Sequence, residues 1–265
     1  MRRGEETIQS RSNPHLKRLQ TLKDKGDKET ALVEGARLVQ EALGAGILEA
    51  FFTEKAARNH PGLRRALEKK EVTIRSVGEA LLARLSDLET SEGILAIAKR
   101  PRFLEEDLFP KPALLVVLCE IQNPGNVGGI LRTAEAAGAT GAILTRGTAD
   151  PFSPKTLRGS MGSAFRLPHL FVKDAREAMD LVKARGVAAV ATAASSSTPY
   201  DAFDWRTEAA LFLGNEGRGL PEAVSFLAEA SVAIPLAGGV ESLNVAAAGA
   251  VLLFEAARQR RAVSR

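Results

Sequence analysis

The chain of 265 residues predicts an α/β protein made of two successive alternating units, residues 1–105 and 106–265. Three observations carry this. Short apolar runs alternate with stretches of helical periodicity along the chain. The runs after residue 113 are almost continuously Leu, Val, Ile and Ala, as expected of parallel strands buried on both faces. A charged stretch over 99–113, holding Pro101, Pro110 and Pro112, separates the two alternations and reads as a linker.

In the first unit, Asn13 followed by Pro14 reads as an N-cap and first helical residue. Leu16, Leu19 and Leu22 then form one apolar stripe, with Lys17, Arg18, Lys23 and Lys25 around it. Strands are predicted at 31–33, 47–53, 72–74 and 94–98. Helices are predicted over 38–43, from Pro61 to about Lys70, and over 79–85. The result is a small α/β sandwich of about the minimum size for a domain.

In the second unit, strands are predicted at 114–119, 141–145, 187–193, 209–213 and 231–236. Helices are predicted at about 126–137, 154–162, 174–185, 221–229 and 241–260. This is a doubly wound arrangement, whose ligands bind beyond the carboxyl ends of the strands.

Composition narrows the function. A single cysteine excludes a disulfide framework, and Cys119 ends an apolar run as a buried strand residue, not a nucleophile. His15, His60 and His169 have no ligand spacing, so no metal is expected. No apolar run approaches the roughly 20 residues of a membrane span, and the polar stretch from Met1 to Gln20 is unlike a secretory leader. A cytoplasmic protein with no membrane partner is the expectation. Residues 1–105 hold 20 Lys and Arg against 16 Asp and Glu, whereas 106–265 hold 16 of each. The net charge of +4 therefore lies in the first unit, where a polyanion partner is expected.

Three turns at predicted strand ends carry the chemistry. The first is Asn123-Pro124-Gly125-Asn126-Val127-Gly128-Gly129-Ile130-Leu131-Arg132. Here Asn126 reads as a helix cap, and Arg132 as able to face the same site. The glycines do not follow G-x-G-x-x-G and no Walker lysine follows, which argues against a dinucleotide or nucleoside-triphosphate site. The second is Gly214-Asn215-Glu216-Gly217-Arg218-Gly219-Leu220-Pro221, a carboxylate on a sharply bent loop. The third, Ile234-Pro235-Leu236-Ala237-Gly238-Gly239-Val240-Glu241-Ser242-Leu243-Asn244-Val245, ends an apolar run and opens a long apolar helix. Taken singly, each also reads as ordinary packing, turn or capping chemistry.

Together these turns resemble the SpoU (TrmH-like) RNA ribose 2′-O-methyltransferases of the SPOUT class. The family's first motif is matched by Asn126, Gly128 and Arg132. Its second is matched by Gly214, Glu216, Gly219 and Leu220, and its third by Ile234, Pro235 and Ser242 to Val245. Ala246 departs from the small hydroxyl residue that many members carry there. The first unit is similar to the family's L30e-like substrate-binding domain, through Ser12-Asn13-Pro14 and Val33-Glu34-Gly35-Ala36-Arg37-Leu38-Val39.

The resemblance implies a C-terminal trefoil-knotted methyltransferase domain, a homodimer with its active site completed across the interface, and S-adenosylmethionine as cofactor. By position, Leu213, Gly214, Ile234, Leu236, Leu243 and Val245 would surround the cofactor. Arg132, Asn126, Glu216, Ser242 and Asn244 would form the catalytic set, with Asn126 and Glu216 orienting Arg132 or the ribose. Arg11, Lys17, Arg18, Lys23 and Arg37 are the candidate RNA contacts. With one Tyr and one Trp in the chain, phosphate and shape recognition is expected over base stacking. Ribosomal RNA is the favoured target and transfer RNA the alternative. The competing classes are a non-catalytic knotted RNA-binding protein and a nucleotide-dependent oxidoreductase.

Overall fold

The computed structural model describes residues 7–88 and 90–263. The chain divides into two compact units, one of residues 1–101 with 152–165, the other of 102–151 with 166–265.

The first unit is built on a mixed four-stranded sheet. Its strands are β1 (Thr30–Glu34), β2 (Ile47–Phe52), β3 (Thr73–Ser76) and β4 (Ile94–Lys99), in the order β1-β4-β2-β3. β4 runs antiparallel to both neighbours, and β2 and β3 are parallel. Helix α1 (Pro14–Lys25) starts as the sequence predicts: the Asn13 side chain accepts the His15 N–H, and Pro14 fills the first turn. Its Leu16, Leu19 and Leu22 are buried with Phe51, Leu95 and Ile97. Helices α2 (Ala36–Glu41), α3 (Glu54–Asn59), α4 (Pro61–Lys69) and α5 (Glu79–Leu85) follow among the described residues up to 101. The six-residue α3 was not predicted, because its cap, Thr53, reads in the sequence as the end of a β-rich run; its side chain accepts the Ala56 N–H.

Helix α7 (Pro154–Ser160), predicted as part of the second alternation, packs in the first unit. Its Arg158 lies 3.9 Å from Glu34 and 3.8 Å from Asp87. The flanking rings of Phe152 and Phe165 meet edge to face with centroids 5.4 Å apart, and the Arg100 guanidinium sits 5.0 Å over Phe152.

The second unit is a six-stranded, wholly parallel sheet. Its strands are β5 (Leu114–Leu118), β6 (Gly141–Thr145), β7 (His169–Val172), β8 (Ala188–Thr192), β9 (Ala209–Leu213) and β10 (Ala230–Val232), in the order β10-β8-β9-β5-β6-β7. Every residue of β5, β6 and β9 is buried, which is why these strands read as unbroken apolar runs. The edge strand β7 was not predicted. It is four residues long and half-exposed, with Phe171 54% accessible, so no apolar run announces it. β10 stops three residues before Pro235, and the expected strand 231–236 continues only as an isolated bridge at Ala233 and then irregular chain.

Helices α6 (Pro124–Ala137), α8 (Ala175–Ala184), α9 (Glu222–Leu227) and α10 (Val245–Val263) flank this sheet. After β5 the chain moves toward β6 and β7, and after β9 it moves the opposite way, to β10. The carboxyl ends of β5 and β9 therefore form the switch point, where an open α/β sheet leaves a crevice. No helix among the described residues is long and apolar enough to cross a membrane.

Arg260 fastens the far end of α10. Its guanidinium donates to the carbonyls of Trp205 (2.8 Å), Thr207 (2.6 Å), Pro112 (3.0 Å) and Ala113 (2.9 Å). The planar fork reaches the chain entering β5 and the chain entering β9 together, which an ammonium on a single stem cannot do. Burial lowers the Arg260 pKa from its ordinary value, and the nearby Glu208 charge opposes that shift. Hydrogen bonds to a charged group contribute about 1.5–3 kcal/mol each net of exchange with water, and less where water can reach the carbonyls left behind. Arg260→Ala is expected to lower the thermal midpoint by roughly 4–8 °C, corresponding to about 2 kcal/mol, with little recovery in Arg260→Lys. A calorimetric scan showing a shift under about 1 °C would remove Arg260 as the fastening.

Candidate active site

The site grows from the ends of β5 and β9. β5 runs out through Cys119, which is 2% exposed. Burial, with a smaller push from the Glu120 charge, raises this thiol to about 12. The sequence reading expected a buried strand residue here; Cys119 is buried but lies one residue past the end of β5. Glu120 follows in the left-handed region (φ 55°), a conformation uncommon for a residue with a side chain. The chain then turns into α6.

Proline decides where α6 starts. Pro124 occupies its first turn, so the N-cap is Asn123, whose side chain accepts the Gly125 N–H at 2.8 Å. The expectation that Asn126 caps this helix is therefore corrected. Asn126 lies inside the first turn, and its amide is free to reach outward.

The second turn leaves β9 at Gly214. A Cβ there would lie 2.2 Å from the Gly219 carbonyl carbon and 2.3 Å from the Leu220 nitrogen, so no other residue fits. Asn215 and Gly219 exchange both backbone hydrogen bonds (3.1 and 2.8 Å), closing Glu216, Gly217 and Arg218 into a tight loop. The Asn215 side chain accepts the N–H groups of Gly217 (3.0 Å) and Arg218 (3.2 Å). It also donates to the Glu120 carbonyl at 2.7 Å, tying the loop to the end of β5.

This loop aims Glu216 at the start of α6. Its carboxylate accepts the N–H groups of Asn123 (3.1 Å) and Gln122 (3.3 Å), and the Asn126 amide at 3.0 Å. Partial burial pushes its pKa up, but the Asn126 side chain and the backbone N–H groups of Glu216, Asn123 and Gln122 outweigh it. The net result is a carboxyl held below its ordinary value.

A carboxylate only accepts, so the Asn126 amide must present Nδ2 to Glu216 and Oδ1 to the other side. There Oδ1 accepts from Asn244 Nδ2 at 3.0 Å. Asn244 Oδ1 in turn accepts the Ala246 (2.9 Å) and Ala247 (3.3 Å) N–H groups at the start of α10. One directed chain of hydrogen bonds thus joins all three turns: α10 to Asn244, to Asn126, to Glu216. The helix expected from residue 241 begins at Val245, since Asn244 supplies the cap.

A cavity of about 500 Å³ lies beside this chain. Leu213, Gly214, Ile234, Leu236, Leu243 and Val245 all line it, as do Glu216, Ser242 and Asn244. Asn126 stands behind Glu216 and Asn244. Arg132 is not brought in. It lies six residues past Asn126 on α6, about 240° round the helix and about 9 Å along it. Its side chain is exposed, and among the described residues it bonds to none of Asn126, Glu216, Ser242 or Asn244. The expected orientation of Arg132 by Asn126 and Glu216 is therefore absent within one chain, because those two side chains are spent on each other and on Asn244.

Of the five basic candidates in the first unit, Arg11, Lys17, Arg18 and Arg37 are exposed. Lys23 is committed instead to Asp87 (2.7 Å) and the Ser86 carbonyl (3.3 Å). The sequence reading missed Asn215. The signal was available: an Asn directly before a Gly-flanked acid favours side-chain-to-backbone turn bonds. Among the described residues, no group of three or more His, Cys, Asp or Glu is gathered where it could hold a metal.

Comparisons with known proteins agree with this geometry. A family model described as the SpoU rRNA Methylase family matches residues 113–254, and one described as the MRM3-like substrate binding domain matches 13–96. The chain is 34% identical to a Bacillus subtilis protein named 23S rRNA (guanosine(2553)-2′-O)-methyltransferase RlmP, covering 93% of this chain and 97% of that one. It is 35% identical to a Synechocystis protein named an uncharacterized tRNA/rRNA methyltransferase, covering 97% and 96%. A crystal structure described as an RNA 2′-O ribose methyltransferase superposes with a TM-score of 0.83 at 34% identity, over 97% of this chain and all of that one. An AdoMet-bound rRNA methyltransferase from Sinorhizobium meliloti superposes with 0.84 at 31% identity, over 96% and 97%. With the catalytic half covered by the family model and near-complete relatives above 30% identity, the chain belongs to the SpoU rRNA methylase family.

Proposed function

We propose that this protein is an S-adenosylmethionine-dependent methyltransferase acting on a ribose 2′-hydroxyl of ribosomal RNA. The observation that carries the reading is the directed Glu216–Asn126–Asn244 chain holding three turns around one cavity. A packing motif has no use for three polar turns converging on an open crevice.

The cavity fits the cofactor. Its volume is within the usual range for small-molecule sites, and Leu213, Leu236, Leu243 and Leu252 give it apolar walls for an adenine ring. Gly249 lets α10 lie close against β9 and α6, since a Cβ there would meet Leu213 Cδ1 at 3.0 Å and Ile130 Cγ1 at 3.8 Å. Among the described residues, no backbone N–H from Leu236 to Leu243 donates a hydrogen bond within the protein, leaving peptide donors for polar ligand edges. S-adenosylmethionine supplies an activated methyl group, so the protein must chiefly orient the ribose and help its hydroxyl proton depart.

In this reading Leu213, Gly214, Ile234, Leu236, Leu243 and Val245 hold the cofactor. Glu216 and Asn126 are positioning residues: their lone pairs and protons are largely committed, and their work is to fix the turns. Ser242 and Asn244, at the cavity wall, meet the ribose. Arg132 serves through its charge, binding a phosphate and stabilising the developing alkoxide. A guanidinium with a pKa above about 12 is a poor base.

Because Arg132 is exposed and does not line its own chain's cavity, we assign it to the site of a second copy in a homodimer. Val251 and Phe254 on α10 are exposed on the helix that packs against α6, and they offer this copy an apolar face. The trefoil knot implied by the family belongs to the same reading. It is supported by the turns at 213–220 and 234–245 lining one cavity, while α10 returns to pack on α6. The first unit, read as an L30e-like domain, supplies RNA affinity through Arg11, Lys17, Arg18 and Arg37.

Three outcomes test this. Mapping 2′-O-methyl groups in total RNA with and without the gene is expected to show loss of one ribosomal RNA site. Loss confined to transfer RNA would move the substrate, and no loss would end the enzymatic reading. Co-refolded Arg132→Ala and Asn244→Ala chains are expected to recover about a quarter of wild-type activity, because half of randomly paired dimers carry one intact site. No recovery would place Arg132 in its own chain's site. Finally, a depressed carboxylate stabilises the fold above its unfolded pKa and loses that effect as pH falls through the lower folded value. Cofactor affinity measured by calorimetry is expected to hold as pH falls to the ordinary glutamate value of 4.5 and to drop only below it. Glu216→Gln is expected to remove this acid limb, and an unchanged limb would show that Glu216 does not set it.

A further inference from the structure

The loop that presents Glu216 carries a second charged side chain that the site does not use. Arg218 follows two residues later. Gly217 and Gly219 line the cavity and Arg218 between them does not, so its side chain leaves from the rim. The Arg218 side chain is 76% exposed. Among the described residues its one charged partner is Glu120, at 3.7 Å, whose side chain is itself 49% exposed. A long, solvated ion pair of this kind holds its partners weakly.

The two backbones beneath are rigid, in contrast. Asn215 Oδ1 accepts the Arg218 N–H at 3.2 Å, and Asn215 Nδ2 donates to the Glu120 carbonyl at 2.7 Å. The Glu120 N–H donates to Thr145 Oγ1 at 2.9 Å, fixing its left-handed backbone. Asn215 thus pins both stems, while both charged heads stay loose at the mouth of the cavity. A planar guanidinium fork matches a phosphate as well as a carboxylate, and a phosphate brings a larger negative field.

We propose that Arg218 binds a backbone phosphate beside the ribose being methylated, and that Glu120 holds the guanidinium until RNA takes it over. The proposal rests on the RNA-methyltransferase reading above and adds a substrate contact within the catalytic unit itself.

The test is equilibrium binding of in-vitro-transcribed 23S rRNA by the full-length wild type, Arg218→Gln and Glu120→Gln, across a potassium chloride series. Arg218→Gln is expected to bind roughly three- to tenfold more weakly at low salt, with the slope of log affinity against log salt shallower by about 0.7–0.9, the loss of one phosphate contact. Glu120→Gln is expected to bind about twofold more tightly, because the competing carboxylate is gone. Calorimetric affinity for S-adenosylmethionine is expected to be the same in all three. An unchanged slope in Arg218→Gln would overturn the proposal. So would a shift of both variants in one direction, since a pair that merely braced the loop would be broken equally from either side. Lost cofactor affinity in Arg218→Gln would also overturn it. Failure of the wild type to methylate any RNA would sink the enzymatic reading, while the sign and slope of the binding shifts would still decide this one.

Discussion

The catalytic unit depends on one carboxylate placed over one helix start. Glu216 accepts two backbone N–H groups and an amide at the beginning of α6. Those N–H groups have no partner inside the helix, and the 14-residue helix concentrates partial positive charge there. The negative group comes from a loop 90 residues away in sequence, so this contact sets the register between two distant segments. Because the carboxylate accepts only, it also fixes the orientation of Asn126, and through it that of Asn244. Polarity passes down the chain without ambiguity, so the turn before α10 is held by the same constraint as the turn after β9.

The sheet makes this convergence possible. Strands β5 and β9 are neighbours, paired from Leu114↔Ala209 to Leu118↔Leu213, and both are buried throughout. Their carboxyl ends emerge side by side, and the chain leaves them in opposite directions. Arg260 performs the matching task at the opposite ends, gathering carbonyls from the segments that enter these two strands. The central pair is thus clamped at entry by a cation and at exit by an anion, each acting on backbone groups that would otherwise need water.

The parts of this design visible in the sequence are those governed by local rules. Fully buried parallel strands leave apolar runs, so β5, β6 and β9 could be read directly. Proline and Asn marked the start of α1. The same rule holds one motif later, where Pro124 makes Asn123 the cap and places Asn126, the residue the sequence suggests for that role, inside the first turn. What could not be read depends on three-dimensional partners. β7 is a half-exposed edge, α7 packs away from the alternation it belongs to in sequence, and the absence of Arg132 from the cavity wall follows from helix phase combined with contacts that its neighbours make elsewhere. Asn215 is intermediate. Its turn-forming tendency is local, but its hold on the Glu120 carbonyl depends on β5 and β9 lying together.

The placement of residues 152–165 has a consequence for heredity. The chain leaves the catalytic unit after Pro151, contributes α7 to the first unit, and returns at Arg166. The two units are therefore joined by three covalent crossings instead of one linker. A genetic exchange that replaced only the leading hundred residues would bring in a domain with a foreign surface where β1 and Arg158 now meet. Recombination in this lineage has to carry two separated stretches of gene together or rebuild that seam. The two units are thereby bound to be inherited as a pair, although each looks like a module that could be traded alone.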